Sequence, residues 1–254
     1  MAMLLERPPE PVAERAPVRA ALELRLPSAA ALGTFLAVVI LSLVALSVFG
    51  QTAKYVFGRT QIFGLVPLFY LDAEQSVPTW YSSAALGFAA LLLVLCALAD
   101  RGSRGGRPIT WAGLALLFGL LSIDEIAGIH EMPIDRMREA YGLGGPLYYG
   151  WVIPGGLFVL ALAVCLFGFI RSLPGRTRLL FILAAGVFLT GALGVEMVSG
   201  WWADPHGEDN LVYALIISVE ECCEMLGVAI FIYALYQRLL GQVRELRLTT
   251  AAAG

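Results

Sequence analysis

The sequence predicts an all-α protein, a polytopic membrane bundle of six transmembrane helices with both termini on the cytoplasmic side. Three observations predict it. First, 59% of the 254 residues are hydrophobic, with a mean hydropathy of +0.78, where soluble domains hold about 45–50% apolar residues. Second, the apolar residues gather into six runs near the roughly 20 residues that a span needs. Third, Arg and Lys fall unevenly on alternate connections, as they do when one side faces the cytoplasm. The net charge of −3 argues against a nucleic-acid partner.

The elements follow in order. Residues 1–28, with "RPPEPVAERAPVR", read as a disordered cytoplasmic tail. The six spans lie at about 29–50, 79–99, 109–130, 150–171, 178–200 and 211–237, within a transmembrane domain of residues 29–240. Residues 241–254 form a cytoplasmic tail. The first apolar run exceeds the roughly 7–15 residues of a signal-peptide core, so it reads as a retained helix. Glu74 is a candidate to cap a short turn before span 2, and the "VPTW" that follows reads as a helix start with Pro78 near its first turn. "MPIDRMREAYG" reads as a short interfacial helix.

Orientation comes from thirteen Arg on one set of connections against four Arg or Lys on the other. The first set includes Arg25, Arg101, Arg107, Arg171, Arg178 and Arg238; the second is Lys54, Arg59, Arg136 and Arg138. This places "SIDEIAGIHE", "GVEMVSGWW" and the start of "SVEECCEMLG" at the outer ends of spans 3, 5 and 6. Asp72 and Glu74 fall just outside the same leaflet, as do both histidines, His130 and His206.

Six carboxylates then lie inside spans: Asp124, Glu125, Glu196, Glu220, Glu221 and Glu224. Each would cost roughly 2.5–3.5 kcal/mol at mid-bilayer, less toward the interface, so together on the order of 10–20 kcal/mol. No Arg or Lys lies in the spans away from their cytoplasmic ends. Protons, a water-filled cavity or bound metal must offset the cost. At about 100° per residue, Glu220, Glu224 and Glu221 make one stripe, at about 0°, 40° and 100°. Asp124, Glu125 and Glu131 share another face. His130 points about 120° from Asp124 in an ideal helix, and Pro133 would have to end or kink the helix to re-aim it.

Carboxylates with an imidazole suit iron, manganese or zinc. The expected metal ligands are Asp124, Glu125, His130, Glu131, Glu196, Glu220, Glu221 and Glu224, and the expected cofactor is one or two metal ions. Dinuclear iron or manganese comes first and zinc second. Glu221 and Glu224 keep the i, i+3 spacing of di-iron bundles but lack its His. Duller roles stand beside each of these. The acids can hold helices together as neutral hydrogen-bonding groups, Glu131 can be solvated, and His206 can be an ordinary loop residue. Trp80, Tyr81, Tyr148, Tyr149, Trp151, Trp201 and Trp202 read as an interfacial belt. Cys96, Cys165, Cys222 and Cys223 read as small packing residues, with no metal-type CxxC spacing.

The set "FYLDAEQSVPTWYSS", "SIDEIAGIHE", "YYGWVIP", "GVEMVSGWW" and "VEECCEMLG" resembles an uncharacterised family of bacterial multi-pass membrane proteins, from about Leu68 to Leu239. The resemblance implies that these motifs form one module in a bacterial cytoplasmic membrane, and it implies no activity. The residues leave three functions open. One is a metalloenzyme acting on a lipid, quinone or isoprenoid from the outer leaflet. The second is a proton- or cation-coupled transporter or channel. The third is an accessory subunit docking a partner in a membrane complex. The expected partners are the bilayer, a lipid-like substrate and such a complex.

Overall fold

A computed structural model describes residues 26–242 apart from Arg104. The expected tails, residues 1–28 and 241–254, lie outside the described residues except for 26–28 and 241–242. Among the described residues the chain is helical, with no strand. Five stretches are long and apolar enough to cross a membrane: Ala29–Phe57, Val77–Asp100, Pro108–Ala127, Val152–Ser172 and Gly175–His206.

The first of these, α1 (Ala29–Phe57), starts where the Ser28 hydroxyl accepts from the Ala31 amide (3.1 Å), and stops at Gly58 in the left-handed region. After the one-turn α2 (Leu65–Leu68), α3 (Val77–Asp100) starts on Ser76, whose hydroxyl accepts from the Thr79 amide. Pro78 is in its first turn as expected, and Ser76 is its cap. Pro108 opens α4 (Pro108–Ala127), and "MPIDRMREAYG" does form a short helix, α5 (Ile134–Tyr141). Beyond it, α6 (Val152–Ser172) precedes α7 (Gly175–Leu189), which runs through a π-helical segment, Thr190–Val195, into α8 (Glu196–His206).

The sixth expected span is α9 (Leu211–Gln242), 32 residues long. At about 1.5 Å per residue it measures about 48 Å. It is not one of the five apolar stretches, and it carries Glu220, Glu221, Glu224 and Arg238. It is instead the helix that the others enclose, touching α1, α3, α7, the π segment and α8. Its lower half is buried on nearly every side, with Ile232, Leu235 and Ala234 at 0–1% exposure. A helix that is apolar all round belongs in the middle of a bundle. By contrast α6 packs only lightly, against α7 and the π segment.

Two contacts fix which ends lie together. At one end, Lys54 and Tyr55 of α1 both bind Asp209, just before α9 (2.7 and 2.6 Å). At the other, Arg238 of α9 pairs with Asp100 of α3 (3.1 Å), both side chains 10% exposed. The Trp111 indole donates to the same Asp100 carboxylate (2.8 Å) and packs edge-on against Phe169 and Phe181. Between these ends α3 and α4 are locked by a reciprocal pair. Ser83 donates to the Ser122 carbonyl and Ser122 to the Ser83 carbonyl (2.7 and 2.8 Å), the polar glue expected between apolar helices.

The four cysteines are free. Cys96 is buried as a packing residue, but Cys165 is exposed on α6, where no helix covers it.

Candidate functional site

Four pieces of chain meet at the Asp209 end of the bundle. The first is the end of α4. Gly128 takes φ 55°, its amide bonds the Asp124 carbonyl, and the helix stops at Ala127. The chain then folds back over its own last turn. The His130 amide donates to Asp124 Oδ1 (3.0 Å), and His130 Nδ1 lies 2.7 Å from Asp124 Oδ2. His130 is thus re-aimed onto Asp124, and the cause is Gly128, with Pro133 five residues too late. Any residue with a Cβ would be strained at that φ.

Both Asp124 oxygens accept hydrogens, so the neutral imidazole carries its proton on Nδ1 and leaves Nε2 bare. Nε2 is 3.8 Å from Glu131 Oε1. Glu125, one residue on, lies within electrostatic reach of His130, Asp124 and Glu131.

The second piece is the start of α6. The Trp151 ring meets the His130 ring edge-on (4.9 Å between centroids), and its indole N–H donates to Glu196 Oε1 (3.0 Å). An interfacial belt therefore does not explain Trp151, which connects the imidazole to the carboxylate of another helix. Nor does it explain Tyr149, whose hydroxyl meets Glu208 (2.9 Å) and Tyr213 (2.8 Å), or Trp202, which donates to Asn210 and stacks on His206. Trp80 and Trp201 are exposed, as belt residues would be.

The third piece is the π segment. Its extra residue per turn shifts the register just before Glu196, and such segments recur at functional sites. Gly191 within it touches α9 so closely that a Cβ would sit 2.7 Å from the Glu220 carbonyl oxygen and 2.9 Å from Glu224 Cγ. Gly191→Leu is accordingly expected to push the π segment off α9 and cost about 1–3 kcal/mol. Chemical denaturation in micelles measures this, and an unchanged midpoint would mean that the two backbones are not in contact.

The fourth piece is α9, which carries the acidic stripe. Glu220 is 5% exposed, accepts from Ser199 Oγ (3.1 Å) and lies within hydrogen-bonding reach of Glu196. Glu221 is within electrostatic reach of Glu224, Glu125, Asp72 and Glu196, and Glu224 of Glu125 and Glu196. Glu125 of α4 is thus within electrostatic reach of Glu221 and Glu224 of α9, as is Glu196.

Asp72 comes from the loop between α2 and α3, and the acid count had left it outside the site. Crowding by protein atoms pushes its carboxyl up to about 6, opposed by the Tyr70 hydroxyl and helped by Glu208, Glu131 and Glu196. Its side chain still has open surface, as a group facing a wet recess would. Because the folded value stands above the ordinary 3.8, folding takes up a proton between the two. Stability from this group is present below pH 3.8 and declines as pH rises toward about 6. Thermal unfolding from pH 4 to 7 should therefore fall less steeply in Asp72→Asn than in the unchanged protein. Parallel curves would show that Asp72 is simply solvated.

Among the described residues, no three His, Cys, Asp or Glu side chains stand together as a ready set of metal ligands. The metal centre expected from Asp124, Glu125, His130, Glu131, Glu196, Glu220, Glu221 and Glu224 is thus not supported by the arrangement. The reason is visible in the bonds. Asp124 is committed to His130, Glu196 to Trp151 and Glu220 to Ser199. The groups are strung along a path and do not converge on one point. His206 is exposed and occupied with Trp202.

Fold and site together define an all-helical protein with an acid–imidazole cluster toward one end of its bundle. The chain belongs to the family described as Domain of unknown function (DUF8692), whose model matches residues 31–239. No curated protein and no solved structure matches it.

Proposed function

We propose that the chain is a six-span membrane protein, with α9 as its central span and both termini cytoplasmic. Its outer recess is an acid–base site acting on a lipid-like substrate from the outer leaflet. The observation that carries this reading is the Asp124–His130 pair. A carboxylate holds His130 through two hydrogen bonds, one from its backbone amide and one at its ring Nδ1, and leaves Nε2 toward Glu131. That is the arrangement of an oriented general base. Glu196, which accepts from the Trp151 indole, and Glu220 beside it are the neighbouring carboxyl groups.

A path through the bundle fits less well. Below Glu224, α9 is packed by Met225, Val228, Phe231, Ile232 and Leu235, all within the buried core, and Phe231 is tilted against Phe181 and stacked on Phe118. Such a dry, close-packed plug offers no polar continuation for an ion. One-sided chemistry needs none.

The test compares proteoliposomes made from a total lipid extract with the unchanged protein or with His130→Asn. Lipid mass spectrometry should find a species altered by the unchanged protein alone. Identical lipid profiles would overturn the reading.

A divalent cation is the second reading, because a metal-ligating imidazole commonly gives its other N–H to a carboxylate as His130 does. Iron or manganese, then zinc, would be held by His130 Nε2 with Glu131 and Glu125 after rearrangement of the recess. Elemental mass spectrometry would show a stoichiometric metal that is lost in Glu125→Gln, Glu131→Gln. A metal-free protein that gains none on titration would remove this reading.

A further inference from the structure

On the outer side of α3 and α4, a groove of about 480 Å³ runs from Arg101, at the end of the bundle opposite the acids, up to Ile123, one residue before Asp124. Its base is made of small residues, Ala97, Ala112, Ala115 and Gly119, and its rims of Leu98, Leu116 and Leu120. The rims are 48%, 65% and 54% exposed, so the groove opens sideways, toward where lipid would lie. From Ala112 to Ile123 it runs eleven residues of α4, about 17 Å at 1.5 Å per residue. Half of a hydrocarbon core is about 15 Å. The groove therefore has the length of one leaflet.

Only one lining residue is charged. Arg101 closes the end of the groove where α3 stops. Among the described residues its guanidinium has no hydrogen bond or ion pair. The nearest acid in sequence, Asp100, is already bound by Arg238 and Trp111 and does not neutralise it. Arg107 adds a second exposed cation across the turn.

We propose that this groove holds an acyl chain of one anionic glycerophospholipid, with its phosphate at Arg101. A smooth helix face takes boundary lipid without preference. A recess between two helices that ends in an unshared guanidinium selects chain and headgroup together. The inference needs the bilayer placement proposed above but not the chemistry of the acid–imidazole recess, whose residues it does not use.

Gly119 provides the means of testing it. A Cβ there meets nothing within 4 Å, so Gly119→Phe fills the groove without displacing backbone. The protein is purified in mild detergent, incubated with equal amounts of phosphatidylglycerol and phosphatidylcholine, and measured by native mass spectrometry. The unchanged chain should retain one phosphatidylglycerol. Gly119→Phe should lower that retention about tenfold, a loss of about 1.4 kcal/mol, at an unaltered unfolding temperature. Arg101→Gln, an exposed change that leaves packing alone, should keep a bound lipid but lower the preference for the anionic one about fivefold. Equal retention of both lipids by the unchanged protein, a bound detergent chain alone, or Gly119→Phe holding lipid as before would each overturn the proposal. Loss of lipid turnover in the His130 experiment with lipid retention intact would concern the other site only.

Discussion

Arg238→Leu is expected to lower the unfolding free energy by about 3–5 kcal/mol, the usual result of removing one half of a buried ion pair. Asp100 would keep the Trp111 indole (2.8 Å) and, at 3.4 Å, the Arg107 amide, but its charge would be stranded at a site 10% exposed. The damage should also spread sideways, because the Arg238 guanidinium lies over the Trp111 ring, 5.0 Å from its centre. Trp111 in turn joins α4 to α6 and α7 through Phe169 and Phe181. A second change separates charge from packing. Asp100→Asn in the Arg238→Leu background removes the stranded charge and keeps an acceptor for Trp111, so it should restore much of the loss. Equilibrium unfolding in mixed micelles measures both variants. A single-variant cost below about 1 kcal/mol would place the pair among solvated surface bridges.

The second large effect belongs to Asp124. Asn is nearly isosteric, yet it has one oxygen where Asp has two. If that oxygen stays on the His130 amide, the Asn nitrogen faces Nδ1 and can only donate. The imidazole must then carry its proton on Nε2, the atom that the proposed chemistry needs bare. Turnover of the altered lipid should fall by about 10²- to 10⁴-fold, the range a general base contributes. Stability should change little, since the helix end is fixed by Gly128 and not by the carboxylate. A proportionate loss of folded protein would instead assign Asp124 a structural role.

The contrast between these residues shows what the chain states openly. Helix positions were legible because apolar runs, Ser28, Pro78 and Pro108 act locally. The centrality of α9 was legible in principle, since Ala229, Ile232 and Leu235 leave its inner half no polar face. The electrostatic proximity of Glu196, Glu221, Glu224 and Glu125 was hinted at by the helical spacing of the acids on α9. The pairing of His130 with Asp124 needed the left-handed turn at Gly128, for which the glycine in "EIAGIH" was the only signal, and Pro133 drew attention away from it. Trp151 had no signal, because its partner Glu196 is 45 residues away and its place at a span boundary already had a sufficient explanation. The π segment was hidden as well: Gly191 and Gly194 announce a close approach, but a register shift by one residue has no signature in hydropathy.

The central claim is that His130 presents a bare Nε2 to an acidic recess because Asp124 holds Nδ1–H. The most direct measurement is nitrogen NMR of histidine-labelled protein in lipid nanodiscs. The chain has only two histidines, and His206 is an internal reference at an exposed site. The account predicts a neutral His130 protonated on Nδ1, converting to the Nε2-protonated form in Asp124→Asn while His206 stays unchanged. A His130 already protonated on Nε2, or one indifferent to Asp124→Asn, would contradict it.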